Sequence, residues 1–249
     1  MLDPSDHILA AFLVLLLPPR AWLAFRSLLR TPREQLPRIR RRVYLMAAIT
    51  QWALALFVAF HWLGARRDWT ALGLIPALTP GAIGVAAGLA VIVVLLVVQA
   101  RGTTGAEALE RARGRLEHVE PLLPHSRAEL RLFRVVAVTA GICEELLFRG
   151  FLTWYFFQVT GLLQAAVLSS IAFGIGHAYQ GLRYVLVTGL LGAFLSAVYL
   201  LTGSLILPML IHALMDLYSG WVAYRVFGSA PPAHPAPGGP LPSAPGLCA

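Results

Sequence analysis

Seven apolar stretches follow one another along the chain, at 8–29, 43–63, 81–100, 132–157, 161–179, 184–201 and 205–227. Each approaches or exceeds the roughly 20 residues that a helix needs to cross a hydrocarbon core of about 30 Å. The joints between the last four are short and marked by Gly161, Gly181 and Gly203. The first stretch is interrupted by Pro18-Pro19-Arg20 and reads as either a kinked span or a short apolar segment followed by an interfacial helix. It has neither a basic start nor a small-residue cleavage site, so a removable signal peptide is not expected. Residues 101–131 carry both signs of charge and read as a surface helix or loop outside the bilayer core. The pattern predicts an all-α fold, a multi-pass transmembrane helical bundle of about seven spans. Its expected regions are 1–131, N-terminal spans plus the charged loop; 132–227, a core; and 228–249, a Pro/Ala/Gly-rich tail too poor in apolar residues to pack.

Composition agrees with this pattern. The chain is 58% hydrophobic and only 13% charged, against about 25% charged residues in soluble domains. All 20 basic residues are Arg, which points to a GC-rich bacterial genome and hence to a cytoplasmic (inner) membrane. The net charge of +8 is concentrated in loops, as the positive-inside tendency requires, so no nucleic-acid partner is expected. The Arg-rich loops 30–42 and 101–131, and with them the C-terminal tail, are expected on the cytoplasmic side. Cys143 and Cys248 cannot form a disulfide framework and read as free thiols. His7, His61, His118, His125 and His234 fall at span ends or in loops and read as solvated.

Against this apolar background a few polar residues stand out. Glu144, Glu145 and Arg149 lie within the fourth span. A charge at the centre of a membrane helix costs about 2.5–3.5 kcal/mol on insertion scales, so such residues usually face a protein interior. Glu145 and Arg149 are spaced i, i+4, with Glu on the N-terminal side, the better orientation for an ion pair. Glu144 is rotated by about 100° from Glu145 on an α-helix, leaving it free for chemistry. The fifth span carries Phe173 and His177 on one face, and the seventh carries His212 and Asp216 on one face. Taken singly, each has a plain structural reading: a buried ion pair, an interhelical histidine, an aspartate orienting its neighbour. Together, three spans holding costly polar groups are most simply satisfied if those groups meet. The span edges place His177 nearer the inner side than Glu144, in tension with such a meeting.

Glu144-Glu145-x-x-x-Arg149, Phe173-x-x-x-His177 and His212-x-x-x-Asp216 resemble, in order and spacing, the three motifs of the CPBP family. These are the Rce1-like intramembrane proteases of CAAX and bacteriocin processing, also called Abi proteins. The resemblance covers about 132–227. It implies hydrolysis of a peptide bond in a membrane-associated protein or peptide. Glu144 would be the general base for water, His177 would help to hold that water, and His212 and Asp216 would face the carbonyl oxygen. Glu145 and Arg149 would form the supporting ion pair and Phe173 would pack the site. An ionised Asp216 cannot donate to an oxyanion, so it must be protonated or act by orienting His212.

A metal-free, glutamate-activated water is the favoured reading, because no H-E-x-x-H spacing demands an ion. The alternative is zinc held by Glu144, His177 and His212. Two other function classes compete with a protease: a non-enzymatic protein of the same fold (bacteriocin immunity or a scaffold), and a proton-coupled transporter. No repeat relates the two halves, which weighs against the transporter.

Overall fold

The computed structural model describes residues 2–74, 83–84 and 105–228, and all regular structure in them is helical. The expected third span (81–100, apart from residues 83–84) and the tail beyond Gly228 lie outside the described residues. Seven helices are described: α1 (Pro4–Leu29), α2 (Leu36–Gly64), α3 (Ala106–Leu116), α4 (127–157), α5 (Leu162–Gly176), α6 (Leu182–Thr202) and α7 (Ile206–Phe227). α1, α2, α6 and α7 are long and apolar enough to cross a membrane. α5, at 15 residues, is shorter. Large apolar side chains such as Phe60, Leu163 and Leu190 point outward from the bundle, as lipid-facing positions do.

The interrupted first stretch is one continuous helical run. It passes through a π-helical segment, Phe12–Leu16, directly before the prolines. The wider register absorbs residues whose ring and missing N–H forbid ordinary α-helical bonding, so the chain bends without breaking. Asp3 caps this helix by accepting from the backbone N–H of Ser5 and Asp6.

The basic stretch after α1 is only partly a loop. Pro37 sits in the first turn of α2, where its missing N–H costs nothing, and the helix takes in Arg38 to Arg42. Arg40 is buried there. Its Nη1 donates to Glu129 Oε1 at 2.9 Å and its Nε to the Pro121 carbonyl at 2.9 Å. Arg113 donates to the Val226 carbonyl and Tyr184 to that of Arg115. The segment 105–126 is thereby tied to the ends of α2, α6 and α7, and the two Arg-rich stretches share one end of the bundle.

At the other end, His61 is not solvated as expected. Its Nε2 lies 2.9 Å from the buried Asp6 carboxylate, and Arg67 donates to both Asp3 and Asp6. Hydrogen bonding to Asp6, with Asp3 adding its charge, pushes the Arg67 guanidinium above its ordinary range. The same guanidinium lies over the Trp62 and Trp154 rings. These contacts fasten the N-terminus of α1 to α2 and α4.

α4 is the central element and packs against α2, α5 and α7. Its middle, Glu145–Leu152, is π-helical, and all eight residues are buried. Besides the Thr153 backbone N–H, the Phe148 carbonyl accepts from Ser169 Oγ at 2.6 Å and Thr153 Oγ1 at 3.1 Å. π-turns of this kind recur at functional sites. Gly141 lets α4 and α7 touch: a Cβ there would lie 2.7 Å from the Ala213 nitrogen and Cβ. Gly174 does the same for α5 and α6, where a Cβ would meet the Val185 carbonyl oxygen at 2.6 Å.

Gly141→Ala is therefore expected to push α7 away from α4 and to cost about 1–3 kcal/mol, as overpacking does. Gly114→Ala, on α3 with nothing within 4 Å, is the matched control and should be neutral or slightly stabilising. Thermal melts of the two variants in detergent check this; equal melting temperatures would remove the close contact as a determinant of the fold.

Candidate active site

The polar residues of the three spans meet beside the π-helical part of α4. Depth is matched by helix length. Glu144 lies 13 residues before Phe157 on α4, and His177 lies 15 residues after Leu162 on α5, across a short turn. The short α5 ends at His177 inside the bundle, which removes the tension raised by the span edges. α7 likewise starts deep. Leu205 is fully buried and its N–H is donated to the Gly73 carbonyl at 2.8 Å. The site residue His212 follows two turns later.

Glu145 is the hub. Its Oε1 accepts from Arg149 Nη1 at 2.9 Å and from His212 Nδ1 at 2.7 Å. Glu145 and Arg149 are wholly buried and His212 nearly so. Arg149 also stacks its guanidinium 4.1 Å above the centre of the Phe173 ring. Gly192 on α6 makes room for it: a Cβ there would lie 3.0 Å from Arg149 Nη2. Phe173 thus has a place on α5 between the ion pair and both histidines, with ring centroids 4.7 Å from His177 and 5.8 Å from His212.

Glu144 takes no part in that ion pair. Its Oε1 accepts from Gln51 Nε2 of α2 at 2.6 Å. Its Oε2 has no hydrogen-bond partner among the described residues and lies 4.0 Å from His212 Nε2. Asp216 Oδ2 lies 3.7 Å from the same Nε2, and the Asp216 side chain is 40% exposed. The ring of His212 is fixed through Nδ1 by Glu145, so Asp216 is not the group that orients it. Asp216 instead faces the nitrogen that points into the site. His177 Nδ1 donates to the Phe173 carbonyl at 2.9 Å, which leaves its Nε2 free to bind.

A zinc ion would require the ligand atoms of Glu144, His177 and His212 to converge. Among the described residues, the set whose ligand atoms lie within 4.8 Å of one another is Asp3, Asp6 and His61, far along the chain from the motif residues. The ligand atoms of Glu144, His177 and His212 do not all lie within that distance of one another in this arrangement. The Asp3–Asp6 carboxylates already hold the Arg67 cation.

Two contacts were not foreseen from sequence. The Glu145–His212 bond joins two separate motifs and has no signal in either. Gln51 has a signal, because it is an amide inside the otherwise apolar 43–63 stretch, but nothing in the sequence connects it to Glu144.

The ion pair yields a stability test. Arg149→Met should leave Glu145 buried with one donor lost and destabilise the fold by about 3–5 kcal/mol, as breaking a buried pair typically does. The double change Glu145→Gln with Arg149→Met should regain much of that loss. Unfolding measured in detergent would contradict the pairing if the double variant were no more stable than the single.

Comparison with known proteins gives one finding. Residues 126–218 match the family model described as Type II CAAX prenyl endopeptidase Rce1-like. No curated protein and no solved structure matches the chain significantly. The matched segment runs from the N-cap of α4 to beyond Asp216 and contains all three motifs. Residues 126–218 of this all-α helical membrane protein are thus similar to the Rce1-like CAAX prenyl endopeptidases, in agreement with the CPBP-like motifs that the same segment carries.

Proposed function

We propose that this protein is an intramembrane endopeptidase that hydrolyses a peptide bond of a membrane-associated protein or peptide with a water activated by Glu144. The observation that carries the proposal is the division of labour between adjacent carboxylates. Glu145 is committed to Arg149 and His212, whereas Glu144 keeps Oε2 unpartnered beside His212 Nε2.

A water about 2.8 Å from both Glu144 Oε2 and His212 Nε2 spans their 4.0 Å separation with ordinary hydrogen-bond lengths. His177, whose Nδ1 is held by the Phe173 carbonyl, is assigned the role of helping to hold this water through Nε2. Glu144 takes the proton of this water as its oxygen bonds to the carbonyl carbon, and the carbonyl oxygen becomes an oxyanion. His212, carrying protons on both nitrogens, donates Nδ1–H to Glu145 and Nε2–H to that oxyanion. The C–N bond then breaks, and Glu144 returns its proton to the leaving amine. Asp216 Oδ2 faces the same Nε2 at 3.7 Å, at the rim of the site. The surrounding apolar wall excludes competing water and strengthens each of these interactions.

Glu144→Gln keeps shape but cannot accept the proton, and should abolish cleavage in a protein that still folds. His177→Ala and His212→Ala should each lower the rate by about 10²–10³. Their combination should not multiply the losses, because the groups act as one unit. Cleavage of membrane substrates by purified enzyme, identified by comparing wild type with Glu144→Gln, is the measurement. Undiminished cleavage by Glu144→Gln would end the proposal. Activity removed by a chelator and restored by zinc would reassign Glu144, His177 and His212 as ligands.

The shared Arg-rich end is proposed to face the cytoplasm. Glu107→Cys, on α3, should then react with an impermeant thiol reagent only in opened membranes; labelling in intact cells would reverse the orientation.

A further inference from the structure

We infer that Gln51, on α2 and outside the matched segment 126–218, is a positioning residue that selects which oxygen of Glu144 does the chemistry. The inference rests on the reading of Glu144 as the base.

A carboxylate on a helix has two equivalent oxygens and a side chain with three rotatable bonds. Only one oxygen can face His212 Nε2. The Gln51 amide supplies the asymmetry: its Nε2 donates to Glu144 Oε1 at 2.6 Å, a charge-assisted length. The orientation of the amide follows from chemistry, because turning it over would set two acceptor oxygens against each other. With Oε1 held, Oε2 is left on the side of His212.

α2 can present this donor because it packs along α4. The neighbouring residue Trp52 donates from Nε1 to Thr139 Oγ1 of α4 at 3.2 Å, one turn of α4 before the site. Two side-chain bonds from adjacent residues of α2 thus fix its register against the helix that carries both glutamates. Gln51 Oε1 is itself buried without a hydrogen-bond partner.

The rest of the site cannot do this task. Arg149 and His212 Nδ1 both bond to Glu145 Oε1, and His177 Nδ1 is held by the Phe173 carbonyl. Among the described residues, Gln51 is the group with a hydrogen bond to the Glu144 carboxylate. The Rce1-like segment therefore relies on the N-terminal helices for one element of its catalytic geometry.

Gln51→Met preserves length and volume while removing the donor. Expected are a melting temperature close to wild type, a fall in kcat of roughly 10- to 100-fold, as misplacement of a reacting group produces, and a KM within about twofold of wild type. Gln51→Asn, which withdraws the amide by one methylene, should behave alike and serves if Gln51→Met does not fold. A second readout does not depend on cleavage. The carboxylate infrared band that disappears in Glu144→Gln should shift in Gln51→Met, because that oxygen loses its donor. An unshifted band overturns the inference. So does an unchanged kcat, or a kcat that falls only together with the melting temperature, which would make Gln51 a helix tether. If wild type and Gln51→Met both fail to cleave any substrate while the band shifts, the protease reading fails and the Gln51–Glu144 contact stands.

Discussion

Two donors from two helices converge on one oxygen of Glu145, and the rest of the site is arranged around that buried junction. Arg149 approaches from the same helix and His212 from α7. A carboxylate this deep is tolerable because Arg149 matches its charge and two donors share Oε1, while Oε2 has no hydrogen-bond partner among the described residues. Removing either donor would therefore strain the fold as well as the chemistry. The junction also sets the direction of the His212 ring, and so the nitrogen it offers to Glu144 and Asp216. The stability of the fold and the geometry of the candidate site are coupled through this one buried residue.

The π-helical stretch of α4 makes the junction possible. Within it, Arg149 reaches back to Glu145 at 2.9 Å. The backbone disturbance is contained because Ser169 and Thr153 bond to the Phe148 carbonyl. Small residues at Gly141, Gly174 and Gly192 then allow α7, α6 and the Arg149 side chain to close in. Such contacts are the main source of helix association where lipid offers no hydrophobic drive.

The N-terminal helices are part of the same core. Leu9, Leu13, Val58 and Trp62 pack with Leu147, Phe151 and Phe173 across the boundary of the family segment. At one end the Asp3–Asp6–His61–Arg67 cluster locks α1 to α2; at the other, Arg40 and Glu129 join α2 to the start of α4. With both ends fixed, α2 has little freedom to slide, and Gln51 keeps its place beside Glu144.

Hydrophobic patterning and the cost of charge in lipid determined much from sequence alone: the all-α membrane class, the boundaries of most helices, and the three groups of polar residues that had to meet. Those are one-dimensional properties, because a span needs only length and apolarity, and a misplaced charge is visible wherever it falls. The Glu145–Arg149 pairing was legible for the same reason, being local to one helix. Tertiary structure decided what depends on distances between helices. It gave His212 to Glu145 instead of Asp216, gave Glu144 a partner in Gln51, and set His61 and the buried Arg40 against acids more than 50 residues away in sequence. It also matched the depth of His177 to that of Glu144 by ending α5 short. No periodicity records which helix lies opposite which, so only the packed bundle could choose among these partners.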